Sequence, residues 1–222
     1  MAGRLAMLAC GGALPVEIRR ATPDILVYTL EGIPSAVDGE SHKLEKIGGL
    51  MEAMRGAGVE RLIFAGGLTR PALNPAEFDG TMAQLAPRVM QAMHLGDDGL
   101  LRSVIAFFEE QGFAVVGAHE MCPALVAEPG LVTGPEPSQD ETRDIARAGE
   151  ILRGISALDI GQGCVVAGGQ CLGLETVQGT DWLLRNVAAT DRTYFRGFKG
   201  IYAKAAKDGQ DLRIDMPAIG PQ

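Results

Sequence analysis

The chain has 222 residues, enough for one large domain or two small ones. Its hydrophobic fraction of 46% and charged fraction of 22% are ordinary for a soluble globular protein, and a formal charge of −8 excludes the broadly basic surface that nucleic-acid binding needs. No apolar run is long enough to span a bilayer, residues 1–10 are no secretory signal, and four cysteines without CxxC spacing (Cys10, Cys122, Cys164, Cys171) point away from a zinc site or disulfide framework and towards a reducing cytoplasm.

The first half alternates strand and helix patterns. Residues 4–10 read as a buried strand ending at Gly11-Gly12, and residues 14–20 as a short helix. Residues 24–30 give a second strand, 43–55 a helix closed by Gly56 and Gly58, and 61–65 a third strand running into Gly66-Gly67. A stretch interrupted by Pro71, Pro75 and Pro87 follows. Asp97 or Asp98 then caps a helix whose face carries Leu101, Val104, Ile105 and Phe108, and residues 113–116 form a fourth strand. This alternation predicts a Rossmann-like parallel sheet over residues 1–130, covered on both faces. Residues 131–140 lie in a Pro/Gly-rich joint, read as a hinge. Residues 141–222 then read as a mixed α/β domain. A helix over 141–158 precedes a hairpin turning at Gly168-Gly169. A helix begins at Thr180-Asp181, and strand-like runs occupy 200–203 and 212–216. The principal cleft is expected between the two domains.

The last run carries the sharpest chemical pattern. Asp211, Arg213 and Asp215 alternate with Leu212, Ile214 and Met216, so in a strand the three charges would share one face. Carboxylates suit a hard cation and a guanidinium suits phosphate oxygens, so such a row can hold both. An edge strand with one wet face would show the same spacing. Upstream, Glu175 ends a strand, Gly179 turns the chain, and Thr180 with Asp181 opens a helix whose N–H groups favour an anion. Lys204 and Lys207 add cations before the acidic run. Gly11-Gly12 can bring backbone N–H groups to an anion, but the full dinucleotide fingerprint is missing, which argues against an oxidoreductase. Gly66 and Arg70 stand at the C-terminal end of a strand, where open α/β sheets bind ligands, and His119 follows the next strand. No Ser-His-Asp or Cys-His arrangement is evident.

These residues resemble a known family. The run from Glu175 to Asp181 and that from Lys204 to Pro221 are similar to the metal-dependent UDP-2,3-diacylglucosamine pyrophosphatases of lipid A synthesis, the alphaproteobacterial type rather than the metallophosphoesterase type. Residues 9–15, 64–71, 96–98, 117–120 and 158–162 extend the likeness over nearly the whole chain. The resemblance implies two α/β domains joined by a linker with the lipid held between them, and Mg²⁺-dependent hydrolysis to UMP and 2,3-diacylglucosamine 1-phosphate. It implies Asp215, Asp211 and Glu175 as metal ligands, and Asp215, Asp211, Arg213, Lys204 and Lys207 as catalytic groups. Gly11, Gly12, Gly66, Arg70, His119, Gln162, Gly179, Thr180, Asp181 and Gln210 become substrate contacts. Its partner is a lipid-linked UDP-sugar, with no nucleic acid; a cytoplasmic protein, peripheral at the inner membrane and able to self-associate, is compatible with it. Family members run roughly forty to fifty residues beyond the terminal motif, several elements in a compact domain, so an incomplete C-terminal domain is expected. A truncated member that binds lipid or nucleotide without turning it over, and a Rossmann-like oxidoreductase, are the competing readings.

Overall fold

The computed structural model describes residues 3–68, 72–92, 96–130, 133–213 and 215–219, with the backbone alone at 96–98. Two compact units emerge: Met1–Ala127 with Asp211–Asp215, and Glu128–Gln210 with Met216–Gln222.

The first unit is built on a five-stranded sheet. Its elements are β1 (Arg4–Ala9), α1 (Leu14–Ala21), β2 (Leu26–Leu30), β3 (Glu40–His42), α2 (Ile47–Gly56), β4 (Val59–Ala65), α3 (Gly80–Ala92), α4 (Gly96–Glu110), β5 (Ala114–Val115) and α5 (Ala118–Met121). The strands are all parallel, in the order β3-β2-β1-β4-β5. β1 lies at the centre, and its near-continuous apolar run follows from burial on both faces. Its side chains alternate between two cores. Ala6 and Leu8 pack with the helical residues Leu50, Met54, Leu85 and Phe108, while Leu5, Met7 and Ala9 pack with Ile18 of α1.

This strand order places a switch point between β1 and β4, and their C-terminal ends are stitched together there. Gly11 N–H donates to Gly67 O at 3.1 Å, and Gly67 N–H returns the bond to Gly11 O at 2.8 Å. Gly66, between them, has φ +94°, and a Cβ on it would collide with the Gly11 carbonyl oxygen and the Cys10 carbonyl.

Two elements of this unit differ from the sequence reading. β3 joins the sheet edge although Glu40, Ser41 and His42 carry no apolar pattern. α3 forms through the Pro-interrupted segment, with Pro87 inside the helix. The Asp79 carboxylate accepts from Met82 N–H (2.7 Å) and so caps the helix, while also accepting from Gly48 N–H (2.8 Å) on α2.

The second unit contains α6 (Gln139–Ser156), β6 (Gly163–Ala167), β7 (Gln170–Leu174), α7 (Thr180–Ala188) and β8 (Ile201–Lys204). Its antiparallel sheet runs β7-β6-β8. α6 starts in a capping box: Glu141 N–H donates to Ser138 Oγ, and Ser138 N–H to Glu141 Oε2. The β6–β7 hairpin turns through Gly168 (φ +55°) and Gly169 (φ +77°), as read from sequence. The buried Asp144 carboxylate on α6 fixes that turn, accepting both glycine N–H groups at 2.8 and 2.7 Å. Among the described residues of 212–216, none lies in the strand expected there. Leu212 and Arg213 make a turn, and Asp215 N–H donates to Asp211 O at 3.1 Å. Among the described residues, no helix is long and apolar enough to cross a membrane.

Two outcomes follow from this packing. Gly66→Ala should lose roughly 1–3 kcal/mol of stability, because the left-handed backbone and the blocked Cβ both oppose a side chain. Gly67→Ala, whose Cβ would meet open space, should stay within about 0.5 kcal/mol of wild type in urea unfolding. For the thiols, Cys171 is exposed and the other three are buried, and burial pushes the Cys164 thiol up to about 11. Alkylation at pH 8 should therefore mark Cys171 first. Cys164 should stay protonated and unlabelled until the pH nears that value or the chain unfolds, as read by peptide mass spectrometry.

Candidate active site

Strand pairing in the second unit brings several chosen residues to one end of its sheet. Gly163 pairs with Lys204 and Cys164 with Leu174, so the start of β6 lies beside the ends of β7 and β8. Glu175 leaves β7 with its N–H on Gly163 O (2.7 Å), and its side chain turns inward. Oε2 accepts the hydroxyls of Thr180 (2.9 Å) and Tyr202 (3.1 Å). The Lys204 ammonium stands 3.5 Å from Oε1 and donates to Thr180 Oγ1 at 2.9 Å. Both charged side chains are only 10% exposed, so each ion needs the other. Burial raises the Tyr202 hydroxyl's pKa, which keeps that group a donor. The fit is close enough to dictate glycines: a Cβ at Gly161 would strike the Glu175 backbone, and one at Gly163 the Glu175 carboxylate.

The chain after β8 extends this cluster. Lys207 pairs with Asp159, and its N–H donates to Gln210 Oε1 at 2.8 Å. Gln210 Nε2 reaches Gln162 Oε1 at 3.3 Å, while the Gln162 carbonyl accepts Ala205 N–H at 2.9 Å. α7 opens behind Gly179, at φ +83° and without a side-chain cap, with Asp181 in its first turn. Gln162, Glu175, Gly179, Thr180, Asp181, Lys204, Lys207 and Gln210 are thus gathered in one unit. Tyr202 was missed. Its signal was its place two residues before Lys204 on β8, which puts both side chains on one face.

In the first unit, Gly11, Gly12 and Gly66 stand at the C-terminal ends of β1 and β4. Gly12 has φ +97° with open space at its Cβ position. His119 lies on α5 with its ring against Gly117, and Glu120 Oε1 accepts Gly117 N–H at 2.6 Å. Arg70 lies outside the described residues.

Asp211, Arg213 and Asp215 group with the first unit. The Asp211 carboxylate accepts Arg213 Nε (2.9 Å), Nη2 (2.7 Å) and its backbone N–H (3.0 Å). Arg213 Nη1 donates to Glu109 Oε1 (2.6 Å) on α4 and to Val115 O (3.2 Å) on β5. Hydrogen bonding from Arg213 holds the Asp211 carboxyl below the usual carboxylate range, and Asp211 followed by Glu109 pushes the guanidinium further up. The acid-base-acid row is therefore an inward-folded turn rather than one face of a strand.

Among the described residues, no group of three or more His, Cys, Asp or Glu side chains forms a metal cage. Glu175 is committed to Thr180, Tyr202 and Lys204. Mg²⁺ usually takes only one or two protein carboxylates and fills its shell with water and substrate phosphates. Both oxygens of Asp211 already accept from Arg213, so in the terminal segment that smaller demand falls on Asp215. An open concavity of about 470 Å³ in the second unit is lined by Gln170, Cys171, Leu172, Thr190 and Tyr194. It lies towards the other end of β7 from Glu175 and takes no part in this cluster.

Comparison with known proteins agrees with this division. Residues 4–125 match the family model of the LpxI N-terminal domain, and residues 128–222 that of the LpxI C-terminal domain. The chain is also 35% identical over 229 aligned positions to the UDP-2,3-diacylglucosamine pyrophosphatase LpxI of Caulobacter vibrioides, covering 98% of this chain and 81% of that protein.

The buried pair makes a testable demand. Lys204→Ala leaves Glu175 buried without its cation and should cost roughly 3–5 kcal/mol in urea unfolding. Lys204→Met combined with Glu175→Gln removes both charges and should recover most of that loss. If the single change were neutral, the pair would not be buried as described.

Proposed function

This chain belongs to the LpxI family, and from that premise we propose that it is a hydrolase cleaving the pyrophosphate of UDP-2,3-diacylglucosamine to UMP and 2,3-diacylglucosamine 1-phosphate. The observation that carries the reading is the likeness to the Caulobacter vibrioides pyrophosphatase, which runs through 98% of this chain.

In this reading water attacks the α-phosphorus. Its oxygen bonds to phosphorus, the bond from phosphorus to the bridging oxygen breaks, and that oxygen leaves with its electron pair on the sugar phosphate. Negative charge grows on the equatorial and leaving oxygens. Lys204 and Lys207 offset it, with the N–H groups of the first turn of α7 as further donors to phosphate. Asp215 orients the attacking water or its activating ion, and Glu175 holds Lys204 in place. Gly11, Gly12 and Gly66 give the nucleotide close approach to backbone, with Arg70, His119, Gln162, Asp181 and Gln210 as further contacts. A divalent cation, Mg²⁺ by this reading, would be held by Asp215 and by the pyrophosphate, with Asp211 fixing the segment through Arg213, and would supply Lewis-acid charge neutralisation. A substrate with two acyl chains calls for a cytoplasmic enzyme that meets the membrane peripherally.

Turnover is read as UMP released from UDP-2,3-diacylglucosamine. EDTA should abolish it and Mg²⁺ restore it. Reaction in ¹⁸O-water should place the label in UMP; label in the lipid phosphate would show attack at the other phosphorus. Asp215→Ala should lose turnover by roughly a hundredfold or more, the scale of removing a key electrostatic group, with substrate binding and circular dichroism kept. Wild-type turnover in that variant would remove Asp215 from the chemistry.

A further inference from the structure

Arg213 spends its guanidinium on acids. Of its five N–H donors, Nε and Nη2 take the two oxygens of Asp211, and Nη1 takes Glu109 Oε1 and Val115 O. The guanidinium is thus already matched with two carboxylates, and Arg102 of α4 lies near enough to Asp211 to help keep its carboxyl ionised. The fork instead ties a turn to a scaffold. Asp211 accepts the backbone N–H of Arg213 and Asp215 N–H donates to Asp211 O, so Asp211, Arg213 and Asp215 are locked as one piece. Glu109 comes from α4, 104 residues earlier in the chain, and Val115 from β5.

We propose that Glu109 is a positioning residue for the reaction: through Arg213 it clamps the Asp211–Asp215 turn to α4 and β5 and so holds the Asp215 carboxylate in its working place. This rests on the proposed hydrolysis, in which Asp215 acts. An arginine is required because only a planar fork serves two carboxylates and a carbonyl at once; a lysine ammonium has no such geometry. The neighbouring residue on the same helix supplies an internal control. Glu110 makes its own two-point ion pair with Arg88, at 2.6 and 2.8 Å, instead of with Arg213.

The test uses the full chain, with Glu109→Gln, Glu110→Gln and Arg213→Lys variants. Amide hydrogen exchange is followed over residues 211–215, alongside UMP release. Glu109→Gln should speed exchange in that segment and lower kcat by about ten- to a hundredfold, the scale of a misplaced catalytic group, with KM nearly unchanged. Arg213→Lys should act in the same direction, and combining the two should add little, because both break one clamp. Glu110→Gln should change neither reading. Unchanged exchange at 211–215 in Glu109→Gln would overturn the clamp. Faster exchange with unchanged kcat would overturn its role in the reaction, and equal effects from Glu110→Gln would reduce it to general helix stability. Should the wild-type chain release no UMP, the hydrolytic reading fails, while the exchange measurement still decides the clamp.

Discussion

A lysine and a glutamate taken out of water together govern the second unit. Desolvating either ion costs several kcal/mol, and only a partner ion with further hydrogen bonds offsets it. Glu175 and Lys204 meet this condition through Thr180 and Tyr202. The end of β7, the start of α7 and the end of β8 must therefore stay together, since separating them would strand a buried charge. The glycines follow from the same constraint. A side chain at Gly163 would push the Glu175 carboxylate off its partners, and one at Gly161 would strike the Glu175 backbone. A helix start without a side-chain cap and a paired ammonium are thus held in one rigid arrangement.

The first unit solves a related problem with opposite sign. Its parallel strands end in glycine turns that bring backbone, rather than side chains, to the switch point between β1 and β4. Here the charged element is a turn from the far end of the sequence, held by a partly exposed guanidinium instead of a buried pair. Ordinary exposed ion pairs contribute little to stability, so the importance of this clamp lies in where it puts Asp215 rather than in how much it stabilises the fold.

Legibility from sequence tracked how local each cause was. The buried run of β1 and the Gly168-Gly169 turn are written in neighbouring residues, and they appear where expected; the Ser138/Glu141 capping box is equally local but went unread. β3 was invisible because an edge strand held by backbone bonds needs no apolar alternation. α3 was hidden by prolines, although Asp79 supplied the start signal and Pro75 falls in a separate turn before it. The terminal row misled because a period of two in charge describes a turn as well as a strand. What decided the outcome was the Asp211 side chain, which takes the Arg213 N–H that a strand would have offered to a neighbour. Glu175, Thr180, Lys204, Lys207, Gln162 and Gln210 could be picked from the sequence because each sits in a motif with its own chemical signal, although Gln162 meets Gln210 only across 48 residues. Tyr202 and Glu109 carried no such signal, and each is marked out only by the partner it meets in the fold, 27 and 104 residues away.

Charge balance then bears on the proposed ion. Lys204 faces Glu175, Lys207 faces Asp159, and Arg213 faces Asp211 and Glu109. The cations of the stretch from Lys204 to Asp215 are thus each matched by at least one carboxylate before any substrate arrives. A pyrophosphate brings more negative charge, and hydrolysis concentrates it on the leaving oxygen. Lysines already paired can reorient towards phosphate only by loosening contacts with buried or half-buried acids, which is costly for Glu175 above all. A divalent cation carried in with the pyrophosphate would supply the missing positive charge without disturbing those pairs. It would also use Asp215, within the one or two protein carboxylates that Mg²⁺ customarily takes, and leave Asp211 to its contacts with Arg213.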